Sequence, residues 1–438
     1  PAKTKHNEVA PAQHELAPVF DTTNVAVDHN QLTMEIMKKV ADKHDLVCLL
    51  HEKPFEGING SGKHNNWSMI TDDGVNLLDP GKTPSENIQF LVFLMAVIKA
   101  VDEYADLLRI SVASAGNDHR LGANEAPPAV VSIFLGDELT EVLKSIENDT
   151  YFTSHGAVQM DIGATVLPHF VKDNTDRNRT SPFAFTGNKF EFRMLGSAAS
   201  VANPNIVLNT AVAEALDQFA KELDGVAPED MEHAVHELIK RAIKKHKRVI
   251  FNGNGYTDEW IEEAEKRGLY NLISTPDALP MWIAKKNIDL FTKHSIYTSE
   301  EIHSRYEIWL ENYSKTINIE SNTMVEMVQK DLLPSVMSYI EEIASTASLK
   351  ASVVPGITCE SETALITKLS GLQDAMTKGL EKLKADTAKA KATDDVLENA
   401  KLYQAEVLED MEELRKSADE AETLIPDDLL PYPTYGKL

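Results

Sequence analysis

The feature that most constrains this chain is a polar loop set between two apolar segments, His51–Ser68, which reads HEKPFEGINGSGKHNNWS. Its glycines, amides and basic residues offer almost nothing that favours a helix. Before it, Leu46–Leu50 (LVCLL) is short and apolar, as a buried strand is, and Trp67–Ile70 reads as a second strand. Gly57, Gly60 and Gly62 therefore lie where backbone amides can approach a ligand and take positive φ. Such loops carry function more often than they hold a fold together. Three readings of the loop stand side by side. Gly57-x-x-x-x-Gly62-Lys63 is one residue short of a phosphate-binding P-loop, but His64 replaces the hydroxyl residue and no helix-forming sequence follows. Alternatively, His64 ligates a metal while Asn59 and the glycine amides hold a polar substrate. The third reading is a turn-rich loop without a ligand.

Composition narrows the class. A chain of 438 residues, 42% of them hydrophobic, is long enough for two or more domains. A formal net charge of −26 argues against nucleic acid and anionic membrane surfaces as partners. Two cysteines, Cys48 and Cys359, make a disulfide framework improbable, so a reducing cytoplasm is the expected setting. No apolar run approaches 18 residues and no signal-peptide pattern opens the chain, so no membrane partner is expected. The start at Pro1, without Met, is expected to mark a fragment.

Further candidates lie along the chain. In KHNEVAPAQHELAPVF, Glu8 and Glu15 are seven residues apart and would face opposite sides of one unbroken strand. A turn or bulge near Pro11 would bring them together, and two carboxylates with a histidine are donors of the kind magnesium or manganese takes. Otherwise the segment is an edge strand with solvated acids. An amphipathic helix is expected over residues 30–44, capped by Asn30, and a longer buried helix over residues 84–109. Residues 112–135 read as a polar loop carrying Arg120 and Glu125 into a strand, in position for a flap. Arg177 and Arg179 are expected on a turn. NKFEFRML then alternates, with Lys189, Glu191 and Arg193 on one face and Phe190, Phe192 and Met194 on the other. Asn203-Pro204-Asn205 reads as a turn, KRAIKKHKR as the solvated end of a helix, and FNGNGY as a turn without chemistry. From about Ser321 a 3–4 spacing (Leu365, Leu369, Leu372, Met376, Leu380, Leu383) predicts a helical hairpin.

Taken together, NEVAPAQHE, NGSGKHNNWS, RLGANEAP, NRTS and KFEFR followed by ANPN occur in one order between Glu8 and Asn205. In these motifs the chain resembles glutamine synthetase, specifically the large bacterial type III form, with YPTYGKL and the hairpin similar to its C-terminal extension. The resemblance implies an α+β fold: a catalytic β-sheet or barrel core flanked by helices (residues 1–320, N-terminally incomplete) and an all-helical region (residues 321–438). It implies ATP-dependent joining of ammonia to glutamate through a γ-glutamyl phosphate, with two Mg2+ or Mn2+ ions. By position, Glu8 and Glu15 match ligands of one metal, and His64 and Glu191 match ligands of the other. Asn59, Gly60, Arg120 and Arg193 match glutamate-binding positions. Phe20, Ser68 and Lys189 fall where ATP is held. Arg179 matches the arginine that stabilises the transferred phosphoryl group, and Glu125 the flap residue that closes over ammonium. A cytoplasmic homo-oligomer of stacked hexameric rings, a dodecamer, is the implied assembly.

The chain departs from the pattern at Asn66, Ala184 and Lys189, the last placing a point charge where some forms have a bidentate arginine. An upstream E-x-E strand and the small N-terminal β domain are absent from this sequence, so the fragment alone is expected to be inactive. The rival expectations are a non-catalytic assembly subunit acting through its C-terminal helices and, further off, a P-loop phosphotransferase.

Overall fold

The structure, a computed structural model, describes residues 2–150, 159–160, 170–171 and 180–433. Arg177 and Arg179 lie outside the described residues. The chain divides into two compact units, Pro1–His303 and Ser304–Leu438.

The first unit opens with a hairpin, β1 (Ala2–Asn7) against β2 (His14–Pro18), followed by helix α1 (Thr23–Lys43). Helix α1 starts at Thr23, seven residues before the expected cap at Asn30, and none of its side chains is fully buried. Leu46–Leu50 is irregular and largely exposed rather than a buried strand. Its apolar character alone does not make a strand, because no neighbouring strand among the described residues offers it a hydrogen-bonding edge.

Strand β3 (Gly62–Trp67) begins inside the glycine loop. The expected helix over residues 84–109 is two, α2 (Ile88–Glu103) and α3 (Ala105–Ile110), separated at Tyr104. Ser114 caps a short helix α4 (Ala115–Arg120) by accepting from Asn117 N, so Arg120 sits on a helix end rather than in a loop. Strand β4 (Ile133–Phe134), α5 (Asp137–Glu147), the pair β5 (Gln159–Met160) and β6 (Phe170–Val171), β7 (Phe183–Phe185) and β8 (Phe190–Gly196) follow. The central sheet has the order β3-β8-β7-β4, antiparallel except for β7 with β4.

The alternation in NKFEFRML is observed. Phe190 stacks on Phe183 at 4.7 Å and meets Phe185 edge-on at 5.2 Å, and Phe185 in turn touches Phe90 of α2 at 5.8 Å. The phenylalanines thus join the sheet to its helical layer. Helix α6 (Ala202–Leu223) covers β3, where Asn209 accepts from the Trp67 indole at 2.8 Å. Pro204, expected in a turn, lies in the first helical turn, where its missing N–H costs nothing. Helix α7 (Met231–His246) ends in the basic run, but that end is not simply solvated. His246 is buried and its ring bonds Asp102 at 2.8 Å, while Arg248 donates to the same carboxylate at 2.7 Å. Helices α8 (Asp258–Lys266), α9 (Thr275–Ala278) and α10 (Lys285–Lys293) complete this unit.

Helix α11 (Ser299–Met327) runs across the boundary into the second unit, which is wholly helical: α12 (Leu333–Val353), α13 (Glu360–Lys391), α14 (Val396–Leu402) and α15 (Leu408–Glu422). The predicted stripe from Leu369 to Leu383 is buried, as are Val407, Met411 and Leu414 opposite it. Two π-helical turns, Val328–Leu332 and Tyr403–Val407, interrupt the α-helices. No helix among the described residues is long and apolar enough to cross a membrane.

Candidate active site

The β1–β2 hairpin answers how Glu8 and Glu15 meet. Glu8 N donates to Gln13 O and Gln13 N to Ala10 O, with Ala12 at φ 53°, so the chain reverses between the two acids. The register sets His6 directly opposite Glu15, and Glu8 lies two residues beyond His6, just past the end of β1. His6 Nδ1 lies 3.2 Å from Glu8 Oε1 and His6 Nε2 lies 3.0 Å from Glu15 Oε2. One donor atom from each of His6, Glu8 and Glu15 falls within 4.8 Å of the others. Two carboxylates and an imidazole fit a magnesium- or manganese-type ion, with the ring neutral and the acids ionised. His6 is the member that sequence reasoning left unnamed, although its i,i+2 relation to Glu8 was the available signal.

Gln13 ties this hairpin to the glycine loop by donating to Gly60 O at 3.1 Å and to Ser61 Oγ at 2.8 Å. Two of the loop glycines are required by close approach. A Cβ on Gly60 would stand 2.4 Å from Glu52 O, and one on Gly62 would stand 2.1 Å from Arg120 Nη2. The segment after Gly62-Lys63 is strand β3, not the helix a P-loop needs.

Strands β3 and β8 carry the second group. Their pairing runs Lys63 with Leu195 and then Asn65 with Phe192, so Arg193 and Met194 together oppose His64. This is a β-bulge, and bulges re-aim side chains beside sites. His64 Nδ1 reaches Glu191 Oε1 at 2.9 Å, while Arg193 Nε and Nη2 reach Glu191 Oε2 at 3.1 and 2.9 Å. Burial works against the charged carboxylate, but the His64 hydrogen bond and charge, joined by Arg193, outweigh it and hold Glu191 down at about 2. The bulge also exposes backbone acceptors. Arg120 donates to Met194 O at 3.3 Å, Arg193 O at 3.2 Å and Asn117 Oδ1 at 3.2 Å, and Asn117 donates to Met194 O at 2.8 Å. Arg120 is thus buried behind the loop, and its desolvation lowers its pKa to about 10, with Glu52 opposing that shift.

The remaining candidates are less concentrated. The Ser68 hydroxyl, with one proton to donate, lies 2.8 Å from Asn76 Oδ1 and 3.1 Å from Asn188 O, beside Lys189 at the Trp67–Phe190 end of the ladder. Asn59 is half-buried in the loop and Phe20 is 85% exposed beyond β2. Asn124 and Glu125 take consecutive positive φ values of 52° and 67° in the segment after α4. Tyr256, from the FNGNGY turn read as chemically silent, donates its phenol to Ala126 O at 2.9 Å and fixes that segment. Burial and then the Glu125 charge push the Tyr256 phenol up.

Among the described residues, then, two imidazole–carboxylate groups stand on short antiparallel strands joined by a glycine loop. Both stand in a mixed α/β unit whose sheets are small and whose remaining elements are helical. Residues 1–131 match the family model "Glutamine synthetase, catalytic domain" and residues 234–350 match "Glutamine synthetase C-terminal domain". The chain is 58% identical over 443 positions to a glutamine synthetase of Butyrivibrio fibrisolvens, covering 100% of this chain and 62% of the relative. It is 46% identical over 446 positions to the type-3 glutamine synthetase of Dictyostelium discoideum and 39% identical over 448 to a glutamine synthetase of Bacteroides fragilis (strain YCH46). These two alignments cover 100% of this chain and 60% and 61% of the relatives. The chain belongs to the glutamine synthetase family, and it spans about three fifths of the length of the curated relatives it matches.

Proposed function

We propose that the protein to which this chain belongs joins ammonia to glutamate at the expense of ATP, through a γ-glutamyl phosphate. The convergence of His6, Glu8 and Glu15 on one hairpin, pinned by Gln13 to the Gly60–Ser61 backbone, is the observation that carries this reading. In it, Glu8, Glu15 and His6 hold one divalent cation, and His64 with Glu191 holds a second. Bound there, such cations supply positive charge to the phosphate oxygens of ATP.

The chain's own side chains do the rest. Asn59, the Gly60 backbone and Arg193 orient glutamate, with Arg120 beneath them bracing the strand that bears Arg193. Ser68, Lys189 and Phe20 border the nucleotide. To Arg179 falls the transferred phosphoryl group, whose developing negative charge a guanidinium stabilises. Glu125, held by the Tyr256-pinned segment, closes over ammonium and excludes water that would hydrolyse the acyl phosphate. The assembly proposed with this activity is a cytoplasmic homo-oligomer of stacked rings.

Glu191→Ala in the full-length protein tests the reading. Magnesium-dependent glutamine formation is expected to fall by about a thousandfold or more, as for removal of a principal electrostatic group. Activity within about tenfold of the parent would refute the assignment.

A further inference from the structure

The second unit contains a pocket, its walls more apolar than polar but edged by charged side chains, that the ligase reading does not use. It has a volume of about 290 Å3 and is lined by α11, by the Lys391–Asp394 turn and by the start of the Tyr403–Val407 π-helical turn. Ser314, one of its lining residues, is 7% exposed, and its Oγ is buried with no hydrogen-bond partner among the described residues. A buried hydroxyl left this way costs free energy unless something enters to bond it. Tyr403 is buried beside it and spends its phenol proton on Asn318 Oδ1 at 3.1 Å. π-Helical turns concentrate at functional sites because the extra residue loosens the helical hydrogen-bond ladder.

The rim decides what fits. It carries two cations and two anions, Lys315 with Lys391 and Glu311 with Asp394. Lys315 and Glu311 satisfy each other at 2.7 Å. Lys391 and Asp394 have no ion-pair or hydrogen-bond partner among the described residues. A net anion would meet the acids and a net cation the lysines, so a balanced rim selects a ligand bearing one charge of each sign. The volume equals that of roughly ten waters at about 30 Å3 each, which suits a molecule of about ten heavy atoms or fewer.

We propose that this pocket binds a free α-amino acid. The ligand's carboxylate lies on Lys391, its ammonium on Asp394, and a polar side chain reaches the Ser314 hydroxyl. The proposal does not rest on the ligase reading, because every residue it uses lies within the second unit.

Isothermal titration of the full-length protein with glycine, L-serine, L-threonine and L-asparagine tests it, with acetate, ethylammonium and inorganic phosphate as controls. At least one amino acid is expected to bind saturably with a Kd of about a millimolar or tighter. Lys391→Ala and Asp394→Ala, both at exposed positions, should each weaken it by about fivefold or more, and Ser314→Ala by about fivefold. Ser314→Val, with helicity checked by circular dichroism, should block binding. The proposal is overturned by the absence of saturable binding for all four amino acids. It is also overturned by affinity unchanged in both charge variants, or by phosphate or acetate binding as tightly as the amino acids.

Discussion

His6 and His64 each lie on a two-stranded antiparallel ladder and each touch a carboxylate near 3 Å, but their surroundings differ. The side chains of His6 and Glu15 are 47% and 40% exposed, and backbone register alone brings them together. Glu191 is 16% exposed and Arg193 4%, and the arginine supplies Glu191 with two donors. In the hairpin, water screens the pair, so its geometry adds little to stability until a cation arrives. In the sheet, the low-dielectric setting makes each partner costly to remove. The same residue types therefore act as an adaptable binding cluster in one place and as a preset electrostatic frame in the other.

The sharpest break of this contrast is Arg193→Ala. It removes the 4%-exposed guanidinium and leaves the half-buried Glu191 with His64 alone among the described residues, and a stability loss of about 3–5 kcal/mol in urea unfolding is expected. A loss below about 1 kcal/mol would put the sheet group on the same footing as the hairpin. Next comes acid titration. A carboxylate held near 2 when folded takes up its proton more readily when unfolded, where 4.5 is ordinary. The stability it supplies is therefore present above about pH 4.5 and is lost as pH falls through about 2, up to about 3 kcal/mol in all. Glu191→Gln should flatten that limb of the stability–pH curve, and an unaltered limb would mean the charge is not so held. The smallest effect belongs to the hairpin. Manganese at about a hundred times its Kd should stabilise the protein by about 2.7 kcal/mol, and Glu15→Gln should remove most of that shift. A shift that survives Glu15→Gln but vanishes with His64→Ala would place the ion in the sheet instead.

What the sequence disclosed followed the range of the interactions involved. The faces of NKFEFRML were legible because period-two alternation is local and phenylalanine marks the core. The second-unit stripe was legible for the same reason at helical period. The meeting of Glu8 and Glu15 was visible only as one option, because the reversal uses Ala12 at positive φ, a residue that gives no turn signal. Pro204 looked like a turn, since proline at the third helical position reads the same as proline in a loop. Leu46–Leu50 had strand composition but lacks a strand partner, a long-range condition that composition does not encode. The bulge opposite His64 and the role of Tyr256 each arise from segments about 130 residues apart, beyond any local pattern.

Arg120, the extra residue in β8 and the bare Cα of Gly62 make one heritable unit. Removing Met194 would mend the ladder and take away one of the two carbonyl acceptors of the buried guanidinium, while a side chain at 62 would evict the guanidinium itself. Divergence at any one of these positions should therefore be tolerated only alongside change at the other two, so lineages are expected to keep or lose all three together.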